Sequence, residues 1–564
     1  MDVKPEVSEP LRECKFVVHV PKYGNRPDMH YIKEKIVHPD GRVEKNLRMI
    51  KNFKRPFYVL KEHYRNYKQK KESEPLDRLN RHLSTESDLL EEAGKALGPM
   101  YIGKNNVRFV KDSPYIYGLD LTSSTFIKKA YFDKFNLFTS YDVCVLDIEK
   151  EIVGEKRVQV ASISMKDKTY TVILDKWLKD TPENRDKISR AYKKYIPEVD
   201  YMEKIEDTTD FFGSEIEMLE ALFKKMHQWQ PDIVEVWNIT YDLTHILNII
   251  EKAGKKPEDI FSDPSVPKDY RYFRFKKGKT SRVTEKGVHK GLDFHEQWHT
   301  VICPSTFYFV DGASVYNYVR QGGKNVPTGY GLDSILNFEL GDKFRKIKID
   351  DPVAEKLDKI AWHIYMSEKR KAEYVVYNKY DTRGPLLLDD KTKDIQSTMP
   401  LLSSYSPFSM FDSNPSRIVE ALYFFYLERG EVLGTAPNTK DEDKRLGLGN
   451  WIVMLPSTRV KNNGMRFLSE GELISTSFRG NTFDADQSAG YPSDGQVSNA
   501  SKDTTMRELL KVEGFNKEDF KKQNINLFFG PVNHLEYAQT MFNFPSVYKV
   551  DELIKKYLPK NNDM

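Results

Sequence analysis

DVCVLDIE, residues 142–149, decides the fold, because it joins a short apolar β-type run to two acids at its end. Two more stretches of the same character follow it, VQVASISM at 158–165 and TYTVILD at 169–175. Short runs rich in β-branched residues are typical of strands in a buried sheet. The sequence therefore predicts three consecutive strands.

Helical patterns follow these strands and alternate with one more strand. A helix is predicted near 213–229, the strand PDIVEVW at 231–237, a helix at about 242–253 and a long helical stretch at 353–380. Alternating strands and helices predict an α/β core, in a chain whose overall class is multidomain α/β (α+β).

The segments around this core have patterns of their own. FVVHV at 16–20 and KIVHPDGRVEK at 35–45 predict a strand and a hairpin with Asp40-Gly41 at its turn. Residues 61–100 are charged and predict helix, and 386–412 are rich in Ser, Pro and Thr, which predicts a linker. SNPSRIVEALYFFYLERG at 413–430 begins as a capped helix.

Composition limits the class of protein. Of 564 residues, 39% are hydrophobic and 30% charged, which is typical of soluble globular proteins. We expect neither a membrane span nor a secretory signal, because no run of 18 apolar residues occurs and the N-terminus has no apolar region. Cys14, Cys144 and Cys303 stand apart, which favours a reducing compartment and hence the cytoplasm (a host's, if the chain is phage-encoded). The net charge of +4 permits a nucleic-acid partner without indicating one.

Asp147 and Glu149 are the first candidate site residues. Side chains two apart on a strand project from one face, so we expect both carboxylates to lie together. Paired hard oxygen ligands suit Mg²⁺ or Mn²⁺. A solvent-facing acid pair is the alternative. The apolar residues ahead of the pair favour a site, because burying idle acids costs free energy.

Two later patterns add further acids and a phenol. Asn238 and Asp242 follow the strand IVEV, and α/β folds bind their ligands at the carboxyl ends of strands. Capping of the next helix is the alternative role for Asp242. Tyr377 and Asp381 are four residues apart and share one helical face, although such a pair is also common on ordinary surfaces.

Residues 271–290 form a basic segment with eight Lys and Arg residues against one acid, Glu285. Basic side chains neutralise phosphates and aromatic rings stack on bases, so the segment is a candidate contact for single-stranded DNA or a duplex junction. A solvated basic loop is the alternative. The candidate DNA-binding residues are Arg274, Lys276, Lys277, Lys279 and Arg282, with Tyr272, Phe273 and Phe275 interleaved.

The three acid motifs, in this order, resemble the exonuclease motifs of family B DNA polymerases, most closely in the tailed-phage branch. They are Asp-x-Glu, Asn-x-x-Tyr-Asp and Tyr-x-x-x-Asp. VDGASVYNYVR at 310–320 and GYGLDSIL at 329–336 also look like exonuclease helices of that family. The resemblance implies a ribonuclease H-like domain that proofreads DNA by 3′→5′ hydrolysis.

The resemblance also implies roles for individual residues. Two Mg²⁺ ions, for which Mn²⁺ substitutes, would be bound by Asp147, Glu149, Asp242 and Asp381. Tyr377 would orient the attacking water, and Asn238 would contact the primer end.

A fourth motif, DQSAGYPS at 486–493, resembles the family's polymerase motif A, Asp-x-x-Ser-Leu-Tyr-Pro-Ser. The resemblance implies that Asp486 binds a metal in the palm and that Tyr491 excludes a ribose 2′-hydroxyl. Ala489 and Gly490 depart from the motif's Ser and Leu, and their backbone N–H groups would bind the triphosphate. A proline-terminated surface turn is the alternative.

Two further family motifs do not follow Ser493: the second palm motif, Asp-Thr-Asp, and the fingers motif, Lys-x-x-x-Asn-Ser-x-Tyr-Gly. One carboxylate site does not complete a two-metal site for nucleotidyl transfer. We therefore expect DNA synthesis, and dNTP binding, only with a second chain. The chain is predicted to be the N-terminal part of a split polymerase, with a truncation as the other explanation. The alternative function is a non-catalytic DNA-binding or scaffold subunit of a replication complex.

The resemblance implies three domains. They are an N-terminal domain at 1–140, joined by about 386–440, an exonuclease domain at 141–385 and a partial palm at 441–564. The expected partners are DNA, as primer-template or a single-stranded 3′ end, and a C-terminal polymerase subunit. A sliding clamp is a further candidate.

Overall fold

A computed structural model describes most of the chain up to residue 436 and two short strands beyond it. The described residues are 9–67, 71, 73–103, 107–197, 199, 204–283, 288–320, 327–436, 458–461 and 464–467. They form a mixed α/β protein with twelve α-helices and several sheets. The chain divides into one unit of 1–56, 83–89 and 121–425 and a second of 57–82, 90–120 and 426–564.

The strands are numbered in chain order. They are β1 (Leu11–Val20), β2 (Met29–Val37), β3 (Val43–Lys51), β4 (Arg55–Leu60), β5 (Ser73–Pro75), β6 (Leu79–Ser84), β7 (Ile116–Tyr117), β8 (Val143–Lys150), β9 (Val158–Met165), β10 (Lys168–Leu174), β11 (Glu206–Phe212), β12 (Ile233–Val236), β13 (Arg274–Lys276), β14 (Ser281–Val283), β15 (His289–Gly291), β16 (Thr300–Ile302), β17 (Tyr308–Asp311), β18 (Glu431–Leu433), β19 (Thr458–Lys461) and β20 (Gly464–Phe467).

The α-helices are numbered in the same way. They are α1 (Leu89–Leu97), α2 (Ser123–Phe135), α3 (Pro182–Tyr195), α4 (Glu215–Trp229), α5 (Ile239–Lys252), α6 (Pro257–Phe261), α7 (Gly312–Val319), α8 (Leu332–Leu340), α9 (Lys359–Lys369), α10 (Lys371–Thr392), α11 (Met399–Ser403) and α12 (Asn414–Leu427).

A six-stranded mixed sheet is the centre of the first unit, in the order β11-β10-β9-β8-β12-β17. Strand β9 pairs antiparallel with both β8 and β10, while β12 lies parallel to both β8 and β17. The three strands predicted from 142–175 are therefore confirmed and are consecutive neighbours. The predicted strand at 231–237 is also confirmed, and it lies beside β8.

Helices cover both faces of this sheet. On one face Leu146 and Ile148 pack with apolar residues of α4 and α5. On the other face Val160 and Ile173 pack with α3, α8, α9 and α10. Both helices predicted between 213 and 253 are confirmed as α4 and α5, and the helical stretch at 353–380 is two helices that meet at Arg370.

The N-terminal hairpin is also confirmed. Strands β1, β2 and β3 form an antiparallel sheet, and β2 and β3 are joined through a turn at Asp40-Gly41. Gly41 has a φ of +82°, a left-handed conformation that favours glycine. Its N–H donates to the carbonyl of His38 at 2.9 Å, which closes the turn.

The helical prediction for 61–100 is wrong for most of its length. The described part of this region contains β5 and β6, and its α-helix is limited to Leu89–Leu97. In the second unit β6 lies beside β4, which pairs with β7. Four of the six residues of β6 are at least partly exposed, so the charged composition reflects a solvated strand face rather than a helix surface.

The linker prediction for 386–412 is also wrong. Helix α10 continues to Thr392 with Pro385 inside it, and α11 follows. Leu386, Met399 and Phe408 are buried in a core shared with β1, β2 and β8. Burial of these apolar side chains packs the segment into the core despite its many Ser, Pro and Thr residues. The helix predicted from 413 is confirmed as α12, which begins at Asn414. None of the described helices is both long and apolar enough to cross a membrane.

Candidate metal centre

Strand β8 presents Asp147 and Glu149 on the face of the sheet that α10 covers. Alternation along the strand places Val143 and Val145 on the same side as the two acids, while Leu146 and Ile148 face α4 and α5. Asp147 lies opposite Ser162 of β9, in the middle of the sheet. The two carboxylates are thus held by a paired strand with partners on both sides.

Helix α10 contacts both carboxylates with side chains from one of its faces. The Asn378 amide donates to Oδ2 of Asp147 at 2.7 Å, and the Tyr374 hydroxyl donates to Oε2 of Glu149 at 2.7 Å. Asp381 follows three residues after Asn378, so the three α10 side chains line up along one stripe. The helix therefore sets the orientation of both strand acids and adds a third acid.

Ligand oxygens of Asp147, Glu149 and Asp381 all lie within 4.8 Å of one another. Asp242, in the first turn of α5, is buried but is outside this group of three. Its charge nevertheless acts on Asp147, and that of Glu149 acts on Asp242. The structure thus brings three of the four predicted acids together and holds the fourth within electrostatic range.

The start of α5, which positions Asp242, is fixed by Asp311 at the end of β17. One carboxylate oxygen of Asp311 accepts the backbone N–H of Ile239 at 2.9 Å, and the other accepts that of Ser314 at 2.9 Å. Asn238 precedes α5, and its side chain makes no capping hydrogen bond. A buried acid therefore replaces the usual cap and joins the first turns of α5 and α7.

A lysine that sequence reasoning missed completes the centre. Lys346 donates to Oδ2 of Asp381 at 2.5 Å and to the Tyr377 hydroxyl at 3.1 Å. The Tyr377 ring also packs on Trp362, with ring centroids 4.9 Å apart. Tyr377 and Asp381 therefore share one face of α10, as predicted, and one ammonium group fixes both.

Burial and mutual repulsion dominate the electrostatics. Burial, and then the charges of Asp381, Asp242 and Glu149, raise the pKa of Asp147 well above its ordinary value. Burial and Asp381 raise the pKa of Glu149 to about 7. Burial likewise raises the pKa of Asp381, against the opposing effect of Lys346. One cation does not compensate so many acids, so the centre favours additional positive charge.

The pKa values of the lysine and the phenol are raised as well. Burial lowers the pKa of Lys346, but Asp381, Tyr377 and Asp147 raise it more, so its pKa lies well above the ordinary value. Burial and Asp381 raise the pKa of Tyr377. The ammonium therefore stays charged and the phenol stays protonated at neutral pH.

The donor set fits divalent cations that prefer oxygen. All the acids named are carboxylates, and Oδ1 of buried Asp381 has no hydrogen-bond partner among the described residues. Carboxylate oxygens are the ligands that Mg²⁺ and Mn²⁺ take. Asp147, Glu149 and Asp381 are the residues that would hold such an ion, with Asp242 as the adjacent acid.

The basic segment divides its residues between surface and core. All five candidate DNA-binding side chains are exposed: Arg274, Lys276, Lys277, Lys279 and Arg282. The aromatic residues instead pack inward, with the Phe273 ring 4.5 Å from that of Phe261. The segment therefore offers charge for phosphates, and the expectation that its aromatic rings stack on bases does not fit their packing. Within the segment, β14 pairs with β15 in antiparallel register.

His299 joins the basic segment to α5. Its Nδ1 accepts the backbone N–H of Gly278 at 3.1 Å, and its Nε2 lies 2.7 Å from the hydroxyl of Thr240. Nε2 is therefore the protonated nitrogen and donates to Thr240. A Cβ on residue 278 would lie 2.4 Å from the carbonyl oxygen of Trp298, so only glycine allows this approach. The basic segment is thereby tied to the helix that carries Asp242.

The motif A residues Asp486, Ala489, Gly490 and Tyr491 lie outside the described residues. Among the residues that sequence reasoning missed, Tyr374 and Asn378 had a signal, since they share the helical stripe of Asp381. Lys346 had none, because its segment, KFRKIKID, is irregular and reaches α10 only through the fold.

No protein-family model matches the sequence, and no curated protein matches it.

The raised pKa of Glu149 predicts how stability depends on pH. In the folded protein the pKa of Glu149 is about 7, above the ordinary value of 4.5 for a glutamate. The native state therefore keeps a proton that the unfolded chain has released, so this group lowers the free energy of unfolding as pH rises from about 4.5 to about 7. In EDTA, the free energy of unfolding of Glu149→Gln, measured by urea denaturation, is expected to fall less than that of wild type across this pH range.

Glu155→Gln is the matched control, because Glu155 is 70% exposed in the turn after β8. Its free energy of unfolding should fall with rising pH as much as that of wild type. An equal fall in Glu149→Gln and wild type would contradict the assigned pKa.

Proposed function

We propose that this chain is a divalent-metal-dependent 3′→5′ DNA exonuclease with a ribonuclease H-like fold. The observation that carries the proposal is the group of Asp147, Glu149 and Asp381, whose ligand oxygens lie within 4.8 Å of one another. The mixed sheet with helices on both faces and the motif order in the sequence support it. We further propose that the chain is the N-terminal part of a family B polymerase that proofreads for a second chain.

Divalent ions bound by these acids would supply positive charge to a phosphodiester and activate a water. The protein's part is to hold the acids in place. Asn378 and Tyr374 fix the two strand acids through hydrogen bonds of 2.7 Å each. Since these donors belong to α10, which also carries Asp381, the distances between the acids depend on one helix packed on one strand.

Tyr377 is suited to orient the attacking water. Lys346 donates to its hydroxyl oxygen at 3.1 Å, so the phenol's own hydrogen remains for another acceptor. The raised pKa of Tyr377 keeps that hydrogen in place at neutral pH. A protonated phenol beside Asp381 can therefore donate a hydrogen bond to a water and orient it, but it does not act as the base that deprotonates that water.

DNA has two contact surfaces near the acids. Tyr241, next to Asp242, is 45% exposed, and Nζ of Lys150 lies 4.5 Å from its ring centroid. An exposed aromatic ring offers a stacking platform for a terminal base. The exposed lysines of the basic segment would bind phosphates further along the strand, and Asn238 is available to contact the primer end.

The test is a nuclease assay on a 5′-labelled oligonucleotide with Mg²⁺ and the four dNTPs. Wild type is expected to give a ladder of products shortened from the 3′ end, because the 5′ label is retained. Asp147→Ala/Glu149→Ala should give none. Asp167→Ala, an acid 76% exposed between β9 and β10, is the matched control and should give the wild-type ladder.

Absence of a ladder from wild type would contradict the exonuclease and leave a DNA-binding or scaffold subunit. Primer extension by this chain alone would contradict the proposed need for a second chain.

Lys346→Met should lower the hydrolysis rate by about 100-fold or more, as loss of one preorganised charged donor typically does. The rate profile should also move to higher pH, because Lys346 opposes the rise in the pKa of Asp381. Lys348→Met, exposed two residues along the same segment, should change neither the rate nor the profile. A loss of rate without a shift of the profile would contradict the electrostatic role.

Charge removal in the basic segment should weaken binding of single-stranded DNA. For Lys276→Gln/Lys277→Gln/Lys279→Gln, the slope of log affinity against log salt should fall by about 2, since each phosphate contact on a single strand contributes about 0.7. Fluorescence anisotropy in Ca²⁺ or EDTA measures this without cleavage.

The control replaces three exposed lysines of α3, as Lys187→Gln/Lys193→Gln/Lys194→Gln, and removes the same charge. Its salt slope should equal that of wild type. Equal losses in both triple variants would show that net charge, rather than this segment, governs binding.

A further inference from the structure

A second group of candidate ligands lies in the N-terminal sheet. His19 on β1 and His30 on β2 are directly paired across the strands, and Asp28 immediately precedes β2. One ligand atom from each of the three lies within 4.8 Å of the others. Cross-strand partners share one face of a sheet, so the register itself brings the two imidazoles together.

The individual distances suit one metal ion. Nε2 of His19 is 3.0 Å from Oδ2 of Asp28, and Nδ1 of His30 is 3.6 Å from Oδ1 of the same carboxylate. Ligands about 2.0–2.1 Å from a tetrahedral zinc ion are separated from each other by about 3.3 Å. The three side chains therefore need only small movements to share an ion.

Unpartnered buried atoms point to a missing ligand here. His30 is fully buried, yet neither of its ring nitrogens has a hydrogen-bond partner among the described residues. Oδ1 of buried Asp28 likewise has none there. Buried polar groups in native proteins are almost always paired. An ion between them would satisfy atoms of both side chains at once.

The surroundings support a held site. The backbone N–H of Ser87 donates to Oδ2 of Asp28 at 2.9 Å, which orients the carboxylate. A cavity of about 200 Å³ is lined by both histidines and by Glu86, giving room for a fourth ligand or a water. Three protein ligands with one remaining position is a common zinc arrangement.

We propose that His19, Asp28 and His30 bind a Zn²⁺ ion. Two imidazoles and one carboxylate suit zinc rather than Mg²⁺, which takes oxygen ligands. The ion would take the place of the hydrogen between Nε2 of His19 and Oδ2 of Asp28, and the neutral imidazole would then carry its hydrogen on Nδ1. The ion would connect β1, β2 and the turn between them. The proposal is independent of the exonuclease, since its ligands are distinct from those acids.

The test measures zinc retained by the full chain. Protein stripped with EDTA is loaded with Zn²⁺, desalted and assayed for metal by mass spectrometry. Wild type should keep roughly one ion at this site, and His19→Gln and His30→Gln should each lose at least about tenfold in affinity. Loading with Co²⁺ should give visible absorption bands of a nitrogen-bearing site in wild type and not in either variant.

Two controls make the result specific. His38→Gln removes a histidine of the same sheet that bonds Glu44 at 3.0 Å, and it should keep the ion. Asp147→Asn/Glu149→Gln should also keep it, which separates this site from the carboxylate centre. Circular dichroism checks that each variant is folded. Because His19 is partly exposed and His30 is buried, His19→Gln should disturb the fold less than His30→Gln. The proposal would be overturned if both histidine variants retained as much zinc as wild type, or if folded wild type retained none.

Discussion

Mutual repulsion among closely spaced carboxylates is the constraint on which the centre depends. Asp147 and Glu149 come from β8 and Asp381 from α10, so helix packing forces their oxygens to within 4.8 Å. Lys346 offsets part of this repulsion through its 2.5 Å contact with Asp381. Such an arrangement costs free energy in the absence of further cations, and the surrounding core must supply that free energy.

The remaining geometry follows from how that helix is held. Apolar residues of α10 pack on Val160 and Ile173 of the sheet, so the helix cannot shift without opening a core. Asp311, at the end of β17, fixes the start of α5, which carries Asp242, by accepting the backbone N–H of Ile239. Rigid elements rather than loops therefore position the acids, as a site that depends on short oxygen–oxygen distances requires.

Much of the fold could be predicted because local pattern and tertiary structure agree. The apolar run before Asp147 is a central strand, and the spacing of Tyr377 and Asp381 does place both on one helical face. Local pattern misled where strand pairing decided the outcome, as in 61–100, where β6 belongs to a sheet. Composition misled in 386–412, where scattered apolar residues such as Met399 carry the core.

The candidate site was predictable only in part. Its acids lie at the ends of predicted strands or at helical spacing from Tyr377, so they could be recognised as candidates from the sequence. Lys346 and Asp311 contact the site through tertiary packing, which no spacing along the chain reveals. The inward packing of Phe273 also needed the structure, because a basic segment with interleaved aromatics has the same sequence whichever way the rings face.

Two chemically different donor sets lie in the first unit. The carboxylate centre offers oxygen alone, whereas the cross-strand pair of His19 and His30 adds imidazole nitrogen. Donor type separates hard from borderline cations, so the two groups would select different ions from the same solution. The two proposed sites therefore differ in the class of cation that each would prefer.

Metal binding by the carboxylate centre is tested most directly by counting the Mn²⁺ ions that metal-free protein binds. Bound Mn²⁺ is measured as the loss of the free-ion signal in electron paramagnetic resonance. One equivalent of Zn²⁺ added beforehand would occupy the histidine group, because imidazole nitrogen suits zinc better than carboxylate oxygen alone. Wild type should bind two Mn²⁺ ions at the carboxylate centre, and Asp147→Asn/Asp381→Asn should lose this binding. Equal Mn²⁺ binding by wild type and this variant would contradict the proposed metal centre.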